Sequence, residues 1–197
     1  MVGLQRKNLP KKHKEQLAQM VATVEECIRT HLPKFKPVAL ESTGKEAACL
    51  LLSDLHAGKM VIDDHNRIVY NKDIFVRRME VLVERVVKLL TYHLRKDTID
   101  EVFILLAGDL VDGSGIYDNQ ALHQDLTNFL PQVGLSAAAI WNVIRRLREH
   151  DFPVRVRGVR GNHGRQGQYA PSDNNFDYLV MQALSFMAHY EDPKGVE

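Results

Sequence analysis

Three strand-length stretches, each stopping at a polar cluster, constrain this chain more than any other feature. They are "AACLLLSD" (residues 47–54), "EVFILLAGD" (101–109) and "PVRVRGVRG" (153–161). Runs of this kind suit strands buried on both faces. The segments between them carry helical periodicity. From about Asp73 to Arg95, Phe75, Met79, Leu82, Val86, Leu90 and Leu94 form one apolar stripe. Two further helical stretches, about 119–130 and 136–149, precede the third strand, and a last helix spans roughly 174–190. "MVIDDHNRIVYN" (60–71) reads as a hairpin with "DDHN" as its turn. Strands alternating with helices predict a layered α/β fold with right-handed crossovers.

The first 45 residues are of a different kind. Five Lys/Arg and no acid lie between Arg6 and Lys14, a solvated basic tail by composition. Leu17, Val21, Val24, Ile28 and Leu32 then mark one amphipathic helix, and "LPKFKP" ends it. The expected division is therefore 1–45 (tail, helix and linker) and 46–197 (the α/β domain). A net charge of +1 gives no global attraction to nucleic acid or membrane. No apolar run reaches the length of a membrane span. Cys27 and Cys49 make no disulfide framework and read as small buried hydrophobes in a reducing compartment, so a cytoplasmic protein is expected.

The polar clusters fall where ligands bind in an open α/β sheet, beyond the carboxyl ends of its strands. "SDLH" closes the first strand, "AGD" the second and "GNH" the third, so Asp54, His56, Asp109, Asn162 and His163 should converge. Carboxylate and imidazole suit Mn, Fe or Zn. Asp54 and His56 can turn toward one ion, Asp109 can bridge two, and Asn162 can offer a neutral carbonyl oxygen. Two ions about 3.5–4 Å apart clamp the attacking and leaving oxygens of a displacement at phosphorus.

D-x-H, G-D and G-N-H, in this order and each after an apolar strand, resemble the calcineurin-like metallophosphoesterase family. The resemblance covers roughly residues 46–190. It implies a metallophosphoesterase sheet with flanking helices and two divalent ions, Mn foremost, with Fe, Zn or Mg as alternatives. Asp54 and His56 would hold the first metal, Asp109 would bridge, and Asn162 would hold the second. His163 would face the scissile group as proton donor or transition-state stabiliser.

Two departures stand out. The family has Asp or Glu after G-N-H, whereas this chain has Gly164, so an orienting carboxylate must come from elsewhere, with Asp112 and Asp173 as candidates. The family pattern continues with an isolated His and G-H-x-H, but after His163 there is only His189, at a helix position that suits a surface residue. The second metal site is thus expected to be incomplete and the domain to lack its second-sheet half. Weak metal binding, and self-association or a partner chain supplying the missing part, follow as expectations.

"AGDLVDGSGIYDNQ" resembles the equivalent stretch of the small, nuclease-bearing subunit of archaeal family D DNA polymerases and of phage-encoded relatives. That implies a phosphodiester substrate, nucleic acid among the candidates. Arg160 and Arg165 flank the site and can hold phosphates, while Arg155 and Arg157 fit the solvent face of an edge strand. Tyr117, Asn119 and His123 are further candidate substrate contacts. A phosphatase or small-molecule phosphodiesterase of the same fold, and a non-catalytic half-domain acting as a binding module, stay open as alternatives.

Overall fold

The computed structural model describes residues 15, 19, 22, 46–94, 98–167, 169–171 and 174–191. The chain divides into two compact units, Met1–Ser42 and Thr43–Glu197. In the first, Glu15, Gln19 and Ala22 are helical and exposed. The basic tail, Cys27 and the apolar stripe expected from Leu17 to Leu32 lie outside the described residues.

The second unit is mixed α/β. Strands β1 (Glu46–Leu52), β4 (Ile99–Leu106) and β5 (Val154–Gly158) form a parallel sheet in the order β1-β4-β5. Between β1 and β4 come an antiparallel hairpin, β2 (Val61–Ile62) with β3 (Ile68–Tyr70), and helix α1 (Lys72–Lys88). Helix α2 (Phe129–Glu149) connects β4 to β5, and α3 (Phe176–Glu191) follows. No helix among the described residues is long and apolar enough to cross a membrane.

Local chemistry accounts for most of these boundaries. The Asp63 carboxylate accepts from the backbone N–H groups of His65 and Arg67, both at 2.9 Å, which closes the hairpin turn. Asn71 caps α1 by accepting from Ile74 N–H, and Asn128 caps α2 by accepting from Leu130 N–H. Pro131 sits in the first turn of α2, where its missing N–H costs no helical bond. Helix α1 passes into a π-helical turn, Leu89–His93. The wider turn keeps Leu90 buried but leaves Leu94 exposed, so the expected stripe ends one turn early.

The helix expected over 119–130 is not continuous. A short 3-10 turn, Gln120–His123, stands there, bounded by Asn119 in the left-handed region and Gln124 in extended conformation. The Gln120 carbonyl oxygen accepts from Ile116 and Tyr117 N–H groups outside the turn. Those bonds wrap the loop around the side chain instead of extending a helix.

Burial on both sheet faces is also corrected. One face carries Leu52, Val102, Ile104, Leu106 and Val154, packed in a core with Phe75, Val83, Ile140, Ile144 and Val180 of the helices. The opposite face runs in two rows, Cys49–Phe103–Arg155 and Leu51–Leu105–Arg157. Leu51 there is 62% exposed, and Cys49, expected to be buried, is exposed too. Helices α1, α2 and α3 all feed the same core, so among the described residues the second face has no covering layer. Arg155 shields part of it, its guanidinium lying 5.9 Å from the Phe103 ring centre and 3.2 Å from Glu101.

This one-sided burial predicts a contrast within a single sheet. Ile104 is fully buried on the central strand. Ile104→Ala should cost about 2–5 kcal/mol of unfolding free energy, read by urea titration. Leu51→Ala should cost well under about 1 kcal/mol, because little area leaves water there. Equal costs would show that the open face is buried in solution.

Candidate metal centre

The sheet ladder continues past the strands and sets the site. Ala107 N–H donates to Leu52 O, Asp54 N–H to Gly108 O and His56 N–H to Asp109 O, at 2.8, 3.2 and 2.9 Å. These bonds carry the ends of β1 and β4 forward as a pair. The backbone then bends sharply: Asp54, His56 and Asp109 have φ of 54°, 43° and 52°. Left-handed non-glycine residues cost about 1–2 kcal/mol each, and such strain clusters at functional sites. Here it falls on three of the residues singled out by the strand-end pattern.

The ends of β4 and β5 are held together by one buried carboxylate. Asp177, in the first turn of α3, accepts from the N–H groups of Asp109, Leu110, Val111 and Gly161 at 2.9, 3.0, 3.3 and 2.8 Å. Burial pushes its carboxyl above the usual range, while the four N–H donors pull it down. Asn175 reinforces the junction: its amide accepts from Asp177 N–H and donates to Gly161 O, both at 2.8 Å. Gly161 has to be glycine, since a Cβ would stand 2.1 Å from Asp109 Oδ1.

Two of the expected ligands and the expected proton donor meet. His56, Asp109 and His163 each place one donor atom within 4.8 Å of the others. The two imidazoles pack edge to face with ring centres 4.3 Å apart. Asp54 Oδ1 lies 3.7 Å from His56 Nε2, with an exposed carboxylate that accepts from the Ser53 hydroxyl. Asp109 Oδ1 also accepts from His163 N–H at 2.8 Å, tying the third strand end to the second.

Behind the histidines stands Asp112, only 2% exposed. Its Oδ1 is 3.4 Å from His56 Nδ1, 3.3 Å from His163 Nδ1 and 3.8 Å from Lys59 Nζ. Both rings therefore turn Nδ1 to one carboxylate and keep Nε2 for the opposite side. An imidazole whose far nitrogen meets a carboxylate is the usual arrangement around a bound metal. Buried Asp112 Oδ1 and His56 Nδ1 make no hydrogen bond of their own, which suits a cluster whose charge balance includes a cation. Two imidazoles and a carboxylate match the preferences of Mn, Fe or Zn.

Of the two candidate orienting carboxylates, Asp112 is the one that faces His163, while Asp173 lies outside the described residues. The structure also explains Gly164. A Cβ there would sit 2.5 Å from Asn175 Oδ1 and 3.1 Å from Asp177 Oδ1, so no acidic side chain fits.

Three glutamines shape the loop under the rings. Gln132, fully buried, accepts from Gly113 N–H at 2.9 Å and donates to Leu126 O at 2.6 Å. Gln124 donates to Asp112 Oδ2 at 3.2 Å and to Gly113 O. Gln120 Nε2 lies 3.3 Å from His163 Nδ1 and donates to Asp112 O. None of these, nor Asp177 or Asn175, was singled out from the sequence. Only the polar identity of residues in an otherwise apolar helix, such as Gln132 in α2, offered a signal.

The remaining candidates are placed as follows. Asn162 is exposed beside His163 and donates to Tyr117 O–H at 2.6 Å, and the Tyr117 ring lies 4.9 Å from that of His163. Arg160 and Arg165 line a cleft next to Asn162. His123 is exposed at the end of the 3-10 turn, where its carbonyl accepts from Met60 N–H, and it is not gathered into the cluster. Arg157 is exposed on β5, and His189 is exposed on α3, as their positions in the sequence suggested.

No protein-family model matches the chain, and no curated protein matches it.

Asp177 is the clearest target for a test of this architecture. Asp177→Asn exchanges one acceptor oxygen for an amino group facing two N–H donors. The expected loss is about 3 kcal/mol or more in urea unfolding, from buried donors left unpaired. A loss below about 1 kcal/mol would mean that water or another group satisfies those donors.

Proposed function

We propose that this protein is a metal-dependent phosphoester hydrolase acting on phosphodiesters, with the layering of the calcineurin-like metallophosphoesterases that its strand-end motifs resemble. The observation that carries the reading is the convergence of His56, Asp109 and His163 within 4.8 Å, at the carboxyl ends of three parallel strands. Residues 107 positions apart in sequence meet only because the sheet brings them together, which local turn chemistry does not require.

The donor set fits a divalent ion. Nε2 of His56, a carboxylate oxygen of Asp109 and the neighbouring Asp54 would hold it. Asp109 and Asn162 would begin a second position, which the chain's described residues leave incomplete. When bound, such an ion supplies Lewis-acid polarisation of a phosphoryl oxygen. The chain's own residues do the rest. Asp112, itself beside Lys59, faces Nδ1 of the His56 ring. The carboxylate and the backbone carbonyl of Asp112 face Nδ1 of His163, leaving its Nε2 to deliver a proton to the departing oxygen. Asn162, steadied by Tyr117, presents a polar amide to the phosphoryl group.

Two substitutions separate the roles. Asp109→Asn should weaken Mn²⁺ binding at least about tenfold in calorimetric titration and abolish Mn²⁺-dependent hydrolysis of a chromogenic phosphodiester. Unchanged affinity and turnover would remove Asp109 from the ligand set. His163→Ala should keep the metal and slow hydrolysis by roughly 10²–10⁴-fold, the usual worth of a positioned acid or base. If metal is lost with it, His163 is a ligand and not the proton donor.

A further inference from the structure

On its hairpin side the cluster opens into a pocket of about 390 Å³. Asp54 and His56 line it together with Val61 and Val69 of the β2–β3 hairpin, which give it an apolar wall. Two cations, Lys59 and Arg78, complete the lining that matters here. Arg78, on α1, lies with its guanidinium 5.2 Å from the centre of the Tyr70 ring. The Tyr70 hydroxyl in turn donates to Leu55 O, the carbonyl between Asp54 and His56. A ring anchored to the backbone of the site thus carries the guanidinium on its face. Among the described residues no carboxylate or carbonyl takes up the Arg78 N–H groups. Lys59 stands 3.8 Å from Asp112, a carboxylate that it shares with both histidines.

We propose that this pocket binds a phosphate monoester between Lys59 and Arg78, and that the group is a second phosphate carried by the substrate beside the scissile one. This rests on the reading of the strand-end cluster as a phosphoester site. Charge selects the group. A terminal phosphate carries about −1.5 to −2 at neutral pH and calls for more than one cation. Asp54, the acid in the lining, is committed to the ion under that reading, which leaves the Arg78 charge uncompensated. Shape agrees with charge. The guanidinium fork meets two phosphate oxygens at once, and Arg78 keeps its N–H groups for that purpose. The volume is at the lower end of ligand-sized cavities, room for a phosphate and a short linker. Val61 and Val69 offer that carbon linker a dry wall. Because His56 belongs to both the pocket and the cluster, an anion held here is a neighbour of the reacting group.

Two titrations of the full chain test the proposal. In EDTA, inorganic phosphate followed by ³¹P NMR should bind saturably, and Arg78→Met should weaken it at least about tenfold, the worth of a charged hydrogen bond. Arg78→Lys keeps the charge without the fork and should fall between the two. At equal free Mn²⁺, calorimetry should show propane-1,3-diol bisphosphate binding at least about tenfold more tightly than propyl phosphate. Arg78→Met should abolish that preference. Its affinity for propyl phosphate and for Mn²⁺ should match the wild type, which also shows that the variant is folded. The pocket is overturned if phosphate in EDTA does not bind, or binds Arg78→Met equally well. The second-phosphate role is overturned if the wild type shows no preference, or if the preference survives Arg78→Met. If Mn²⁺ binding and hydrolysis of a chromogenic diester both fail while phosphate still depends on Arg78, the hydrolase reading falls and the phosphate site stands.

Discussion

The Asp177 carboxylate, accepting four backbone N–H groups from the ends of β4 and β5, is the contact on which the site depends. Parallel strands leave their terminal N–H groups without ladder partners, and in a buried position each unpaired donor costs about 1–3 kcal/mol. One acid from the first turn of α3 satisfies four of them. In doing so it fixes the separation of the two strand ends, and therefore the distance from Asp109 to His163. The helix is placed by the same contact, because Asn175 and Asp177 sit at its start. Position and satisfaction are one interaction here.

A second buried carboxylate works in the opposite sense. Asp177 is surrounded by backbone donors, whereas Asp112 is surrounded by ionisable side chains, His56, His163 and Lys59. It sets ring orientation where Asp177 sets backbone position. Gln120, Gln124 and Gln132 fill the space between them, with each side-chain amide bonded to a loop carbonyl. A polar layer of this sort is costly unless nearly every group finds a partner. The left-handed backbone at Asp54, His56 and Asp109 adds strain to the same few residues. The apolar half of the sheet, from Val102 to Leu106, must supply the stability that this corner does not.

The two sides of the cluster differ in character. Toward Asp54 the opening carries a carboxylate along with Lys59 and Arg78. Toward Asn162 it carries arginines and an aromatic ring and, among the described residues, no acid. Under the proposed reading, the two substituents of a phosphodiester would meet different environments. The direction of the strand ends decides which residues face which side.

The sequence by itself determined the strands, their order of appearance and the residues at their carboxyl ends. Runs such as "EVFILLAGD" are legible because apolar periodicity and the glycine-acid stop are local properties. Asp54, His56, Asp109 and His163 could be named for the same reason, as each follows a recognisable strand. Asp177, Asn175 and the three glutamines could not. An acid in a first helical turn and an asparagine before it read as ordinary capping, and their partners lie up to 68 residues away. Nor could the sequence say which sheet face is covered, or that the stretch from Asn119 wraps around Gln120 instead of forming a helix. Local propensity reports what a segment can be. Which donors meet which acceptors across the sheet is decided only when the three strand ends are brought to one edge.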